Sequence, residues 1–110
     1  MKGLLGPLII HSSVVVHNRE FEYVGHPFPC SGIVDQEPRK QAVIRQIEMG
    51  TTSLTPEDIR SLTVNLGTIW RGEAYHAILH NCNDFAEQFV ELLCGAKIPA
   101  FVNKPAVTAR

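Results

Sequence analysis

Apolar and polar positions alternate in the first third of the chain and recur at helical spacing in its second half. Residues 8–16 are apolar and β-branched around a short polar patch, which predicts a strand. Asn18-Arg19-Glu20 reads as a hairpin turn. Phe21-Glu22-Tyr23-Val24 then alternates as a half-buried strand should. Two prolines and a glycine make the stretch from His26 to Ile33 a loop. Ala42–Met49 reads as another strand, although its charges also suit an exposed segment.

A helix is predicted from Thr55. Thr55 can cap it, Pro56 suits the first helical position, and Glu57 and Asp58 sit where the helix dipole favours negative charge. Ile59, Leu62, Leu66 and Ile69 follow at helical spacing. Glu73–Leu79 is mixed and reads as extended. A second helix runs from about Asp84 to Cys94, with Phe85, Phe89, Leu92 and Leu93 on one apolar face. Gly95 stands where a left-handed cap belongs, Pro99 closes the segment, and residues 103–110 read as a polar tail. Strands followed by helices predict an α+β domain.

Length and charge narrow the function classes. A chain of 110 residues fits one domain and buries roughly 65% of its unfolded surface, so it needs no disulfide or metal to fold. Ten basic and eleven acidic residues give a net charge of -1, with no basic block, which argues against nucleic acid as a partner. No apolar stretch approaches the roughly 20 residues of a membrane span, and Gly6-Pro7 breaks the only segment resembling a signal peptide. Three cysteines without scaffold spacing suggest reduced thiols, hence the cytoplasm or nucleus.

Cys82 lies in His80-Asn81-Cys82-Asn83-Asp84-Phe85, just ahead of the second helix. Free N–H groups and the positive end of the dipole there stabilise a thiolate, the nucleophilic form. A buried structural cysteine is the competing reading, and Cys94, beside Leu92 and Leu93, suits that role. A thiol nucleophile needs a base, and His11, His17, His26, His76 and His80 are the candidates. His80 is too near in sequence to converge on the thiol, and His76 requires the chain to fold back. His11, in an apolar strand and followed by Ser12 and Ser13, can face a helix start or serve as a core histidine. A zinc site is disfavoured, because among His26, Cys30, His76, His80 and Cys82 only His76-x₃-His80 has a familiar spacing. Gly67–Gly72 lacks the pattern of a phosphate loop, and no cofactor is expected. Glu57 and Asp58 are read as helix-start charges rather than an acid/base pair.

Several segments together resemble a known family. Arg71-Gly72-Glu73-Ala74-Tyr75-His76, the Asn81-Cys82-Asn83 core with Phe85, and Gly95-Ala96-Lys97-Ile98-Pro99 resemble the C-terminal half of the PPPDE domain, that of the desumoylating isopeptidases. His11–Val16 resembles the strand that carries the family's histidine, and Phe21–Ile33 the loop after it. The likeness covers about residues 8–105 of a single domain, 1–110. It implies a permuted papain-like fold, with a small antiparallel sheet packed against helices. It further implies a Cys–His dyad with His11 as base, Cys82 as nucleophile and no required third residue. The implied substrates are SUMO- or ubiquitin-conjugated proteins, with homodimers carrying the site near a groove between subunits. Thioester hydrolysis of S-acylated proteins is the alternative reaction on the same site, and a non-catalytic binding module the alternative role.

Three features depart from the family pattern. Ile10 stands where an aromatic residue usually precedes the histidine, and Asp84 where His, Thr or Ser is common. Only ten residues precede His11, so the family's first strand is expected to be missing or replaced, leaving a sheet edge that favours strand exchange.

Overall fold

The computed structural model describes residues 11–40 and 45–103. Within them the chain forms strands β1 (Val14–Val16), β2 (Arg19–Tyr23) and β3 (Ile33–Gln36), then helices α1 (Pro56–Leu66), α2 (Cys82–Cys94) and α3 (Ala100–Asn103). A 3₁₀ turn, Gly72–Ala74, lies between α1 and α2. The α+β expectation therefore holds.

The sheet is antiparallel in the order β1-β2-β3. Its first hairpin turns on His17 and Asn18, both with positive φ (49° and 61°). Two such residues make the two-residue turn whose twist matches that of the strands. The turn thus comes one residue earlier than the expected 18–20, and Arg19 and Glu20 belong to β2, pairing with Val16 and Val15. The expected first strand is ordered as a ladder only from Val14; residues 8–10, and with them any strand before His11, lie outside the described residues. The expected strand at 42–49 is not seen: residues 45–49 have no regular structure, and 42–44 are outside the described residues. The third strand comes instead from Ile33–Gln36, whose four residues are too short for a periodicity to register.

Central β2 is covered on both faces. Phe21 and Tyr23 point toward the helices, where Phe21 meets Phe89 edge-on at 5.3 Å and Tyr23 meets Trp70 at 5.2 Å. Tyr23, Phe85 and Phe89 are the largest fully buried side chains, each worth roughly 2 kcal/mol of apolar burial. Glu20 and Glu22 occupy the other face and are also buried. The alternation of β2 was expected to mean solvent on its polar face; a polar network covers it instead.

The starts of α1 and α2 carry reciprocal caps. Thr55 Oγ1 accepts from the Asp58 N–H, and Asp58 Oδ2 from the Thr55 N–H, each at 3.0 Å. Helix α1 ends at Leu66, so Ile69 lies beyond it and is exposed. Helix α2 begins two residues before the expected start, at Cys82, and ends on Gly95 at φ 76°. Its buried stripe is Phe85, Ala86, Phe89, Val90 and Leu93, whereas Leu92 is 47% exposed. The face is set by the line from Cys82 through Ala86 to Val90, which turns Leu92 outward. The segment after the 3₁₀ turn is not extended: His76 and His80 bond each other's backbones and close a tight loop just before α2. Among the described residues, no helix is long and apolar enough to cross a membrane.

Candidate active site

The start of α2 is built by the asparagine that precedes it. Asn81 Oδ1 accepts from the Asn83 and Asp84 N–H groups, both at 3.0 Å, and its Nδ2 donates to the Ala77 carbonyl at 2.9 Å. Asp84 Oδ2 accepts from the Asn81 N–H at 2.9 Å. Asp84, which departs from the family pattern, is therefore the second half of a capping box. This cap leaves the Cys82 N–H, the first of the helix, to Tyr75, whose hydroxyl accepts it at 3.4 Å.

Cys82 is buried, 3% exposed. Burial opposes charge on its sulfur, but hydrogen bonds with the His11 ring, the Ser12 N–H and the Tyr75 hydroxyl outweigh that and hold the thiol below its ordinary value. His11 moves the other way. Its imidazole is raised to about 9, first by the hydrogen bond with Cys82, against the effect of burial, and further by Glu22. Both shifts run in the direction that favours thiolate and imidazolium over the neutral pair.

His11 is positioned from outside the helix. Its Nε2 meets Glu22 Oε1 at 2.7 Å. With Nε2 held there, Nδ1 is the ring nitrogen left for the thiol. Glu22 is itself fixed by Gln36, which donates to Oε2 at 3.0 Å, and by the Arg39 guanidinium. Neighbouring Glu20 accepts from Ser13 Oγ at 2.5 Å and from the Arg39 N–H at 2.8 Å. Burial pushes the Glu20 carboxyl up, but these bonds and the Arg39 charge leave it below its ordinary value. Ser12 Oγ donates to Asn83 Oδ1 at 2.6 Å, tying the His11 segment to α2.

The other candidates are engaged elsewhere. The His17 ring meets the Leu54 carbonyl at 2.8 Å, and that of His26 the Ser31 carbonyl at 3.0 Å. His76 Nδ1 accepts from the N–H groups of Ile78 and Leu79, both at 3.1 Å. His80 stacks on Trp70, rings 4.1 Å apart. Cys30 is exposed, and the Cys94 thiol donates to the Val90 carbonyl at 3.4 Å. No group of three or more metal-ligating side chains gathers among the described residues. The structure brings His11 and Cys82 together, and it adds two residues that sequence reasoning missed. By sequence Glu22 is the polar, solvent-facing side of a half-buried strand. Tyr75 lies in the Arg71–His76 segment, where spacing assigns it no role.

Comparison with known proteins covers nearly the whole chain. The model of the family described as "PPPDE putative peptidase domain" matches residues 2–110. A DeSI-like protein of Arabidopsis thaliana is 38% identical over 101 residues, covering 89% of this chain and 45% of that protein. Desumoylating isopeptidase 1 homolog of Caenorhabditis elegans is 34% identical over 109 residues, 93% of this chain and 33% of the relative. Desumoylating isopeptidase 1 of Homo sapiens is 33% identical over 99 residues, 86% of this chain and 55% of the relative. The chain thus spans from a third to just over half the length of these relatives.

Proposed function

Because the chain belongs to the PPPDE peptidase family, we propose that it is a thiol-dependent isopeptidase that releases SUMO or ubiquitin from conjugated proteins. The observation that carries this reading is the pairing of His11 with Cys82, its thiol lowered and its imidazole raised. The names of the relatives support SUMO conjugates as the substrate class, and ubiquitin conjugates rest on the family resemblance alone.

In this mechanism Cys82 Sγ attacks the isopeptide carbonyl as a thiolate. The carbon–sulfur bond forms and the carbonyl π pair moves to oxygen. His11, already protonated, gives its proton to the leaving lysine amine as the carbon–nitrogen bond breaks. The neutral imidazole then takes a proton from water as the water oxygen bonds to the thioester carbon. The carbon–sulfur bond breaks, Cys82 leaves as the thiolate, and the modifier's carboxyl group is freed and loses its proton to solvent. Glu22 acts through His11: it fixes the ring and favours its charged form, as a buried carboxylate does for the histidine of other nucleophile–histidine pairs.

The test is incubation with SUMO and ubiquitin conjugates and with C-terminal electrophilic probes of both modifiers. Wild-type protein is expected to cleave the conjugates and label at Cys82, and Cys82→Ala to do neither. Cleavage by Cys82→Ala would remove the thiol from the mechanism. Hydrolysis of an S-acyl thioester with no reaction toward either modifier would reassign the site to deacylation.

A further inference from the structure

The attack on a carbonyl needs donors for the oxygen that becomes negative. Asn81 and Asn83 flank the nucleophile: Asn81 Oδ1 is taken up by the cap while its Nδ2 donates to Ala77, and Asn83 is 3% exposed with its Oδ1 accepting from Ser12. The Cys82 N–H is the natural first donor, since no group within α2 uses it. The same N–H points at Tyr75.

We infer that Tyr75 is a catalytic residue whose hydroxyl, with the Cys82 N–H, forms the oxyanion hole. Three observations converge on it. Its oxygen is 3.4 Å from the Cys82 nitrogen, long for a hydrogen bond but well suited to two donors sharing one acceptor. An oxygen about 2.8 Å from each closes a triangle on that side, which is the donor distance such sites use. The hydroxyl also contacts the Cys82 sulfur, so it lies beside the atom that attacks. Finally, the ring is fixed. It packs on Tyr23 with centroids 4.9 Å apart, and it fills the space over Gly25, where a Cβ would come within 2.9 Å of the Tyr75 Cβ. A donor held in this way needs no reorganisation when charge develops. Burial raises the phenol, followed by its bond with Cys82, so the proton stays on oxygen and can be donated.

The step leaves the phenol proton in place. In the resting site Tyr75 donates to the thiolate. As Sγ bonds to carbon, the sulfur's negative charge moves to the former carbonyl oxygen, and the hydroxyl turns to follow it. On collapse the electron pair returns to the carbonyl, and the leaving amine takes its proton from His11.

This inference rests on the proposed thiol chemistry but not on the identity of the substrate, and the experiment separates the two. Two reagents are compared on Cys82: p-nitrophenyl acetate, which acylates through an oxyanion, and iodoacetamide, which alkylates without one. Tyr75→Phe keeps the ring and removes the donor. It is expected to slow acylation on the order of 10²-fold while changing alkylation at saturating pH by less than about threefold, since only the first reaction makes an oxyanion. Equal slowing of both, or of neither, overturns the inference. Failure of the SUMO and ubiquitin probes leaves this comparison intact.

Should Tyr75→Phe unfold, replacement of the tyrosines by 3-fluorotyrosine supplies a second readout. Acylation, but not alkylation, is then expected to fall as the more acidic phenol ionises and can no longer donate. Parallel pH profiles for the two reactions would sink the proposal.

Discussion

Cys82 and His11 are held by different kinds of contact. Around Cys82 the cap is local: every hydrogen bond of the Asn81 side chain spans four residues or fewer. Around His11 the bonds are long-range, to Glu22 eleven residues away and, through Ser12, to Asn83 seventy-one residues away. The nucleophile's place follows from helix-start chemistry, whereas the base's place depends on the finished sheet. A perturbation of the sheet should therefore disable the base and leave α2 in place.

The largest effect should come from His11→Ala. Removing the base is expected to cost 10²–10⁴-fold in cleavage, and to bring Cys82 alkylation at pH 6 down to the rate of exposed Cys30. The thermal midpoint should fall modestly at pH 6 and hardly at all above pH 9, because the raised imidazole adds stability only while protonated and its side chain is half-exposed. A variant that kept its fast thiol at pH 6 would mean that the helix start alone activates Cys82, and the two halves would not be coupled.

Glu22→Gln comes next. Glu22 is among the causes that raise His11 to about 9, after the larger effect of Cys82. The sign follows: a raised imidazole keeps its proton, and its contribution to stability, in full below its ordinary value of about 6.5 and loses both as pH rises through about 9. Wild-type cleavage should fall on that alkaline side. In Glu22→Gln the fall should begin at lower pH, cutting activity at pH 9 by up to about tenfold, the equivalent of one pH unit. An unshifted alkaline limb would reduce Glu22 to a structural role.

Asn81→Ala strikes the other half. Loss of the cap is expected to cost about 1 kcal/mol, seen as a fall of several degrees in the thermal midpoint. The pH profile should keep its shape, since neither titrating group is touched. A displaced profile would show that the cap tunes the thiol as well as the helix.

The same division governs what the sequence could disclose. Thr55-Pro56, Gly95 and the Phe85/Phe89 pair act over one or two helical turns, and both helices were legible from them. Asn81 and Asp84 stand at capping-box spacing, but the helix is predicted only from about Asp84, two residues after its start at Cys82, and the cap emerges with the structure. Long-range placement was not legible. Ile33–Gln36 becomes a strand only by pairing with β2, Glu20 and Glu22 are buried only because Arg39, Gln36 and Ser13 return to meet them, and Leu92 turns outward because α2 packs along the Ala86 side. Spacing offered five histidines, and likeness to the family chose among them.

The smallest effect, from Ser12→Ala, tests the join between the halves. Its hydroxyl links the His11 segment to α2 at 2.6 Å, and a hydrogen bond of this kind is worth about 0.5–1.5 kcal/mol. If that segment docks on a finished core, the loss is local: opening of the segment becomes easier while global unfolding hardly changes. The expected result is a thermal midpoint within about 2 °C of wild type, a shift smaller than that of a full 1 kcal/mol change, together with a modest fall in Cys82 alkylation at pH 6. In the His11→Ala background the same substitution should have no further effect on alkylation, because the bond then orders a segment that has lost its base. Additive losses in the double variant would show that Ser12 acts on the thiol directly, through the backbone N–H it already offers to the sulfur. A midpoint that fell as far as in Asn81→Ala would place the His11 segment within the cooperative core, and the distinction between a locally built nucleophile and a docked base would no longer hold.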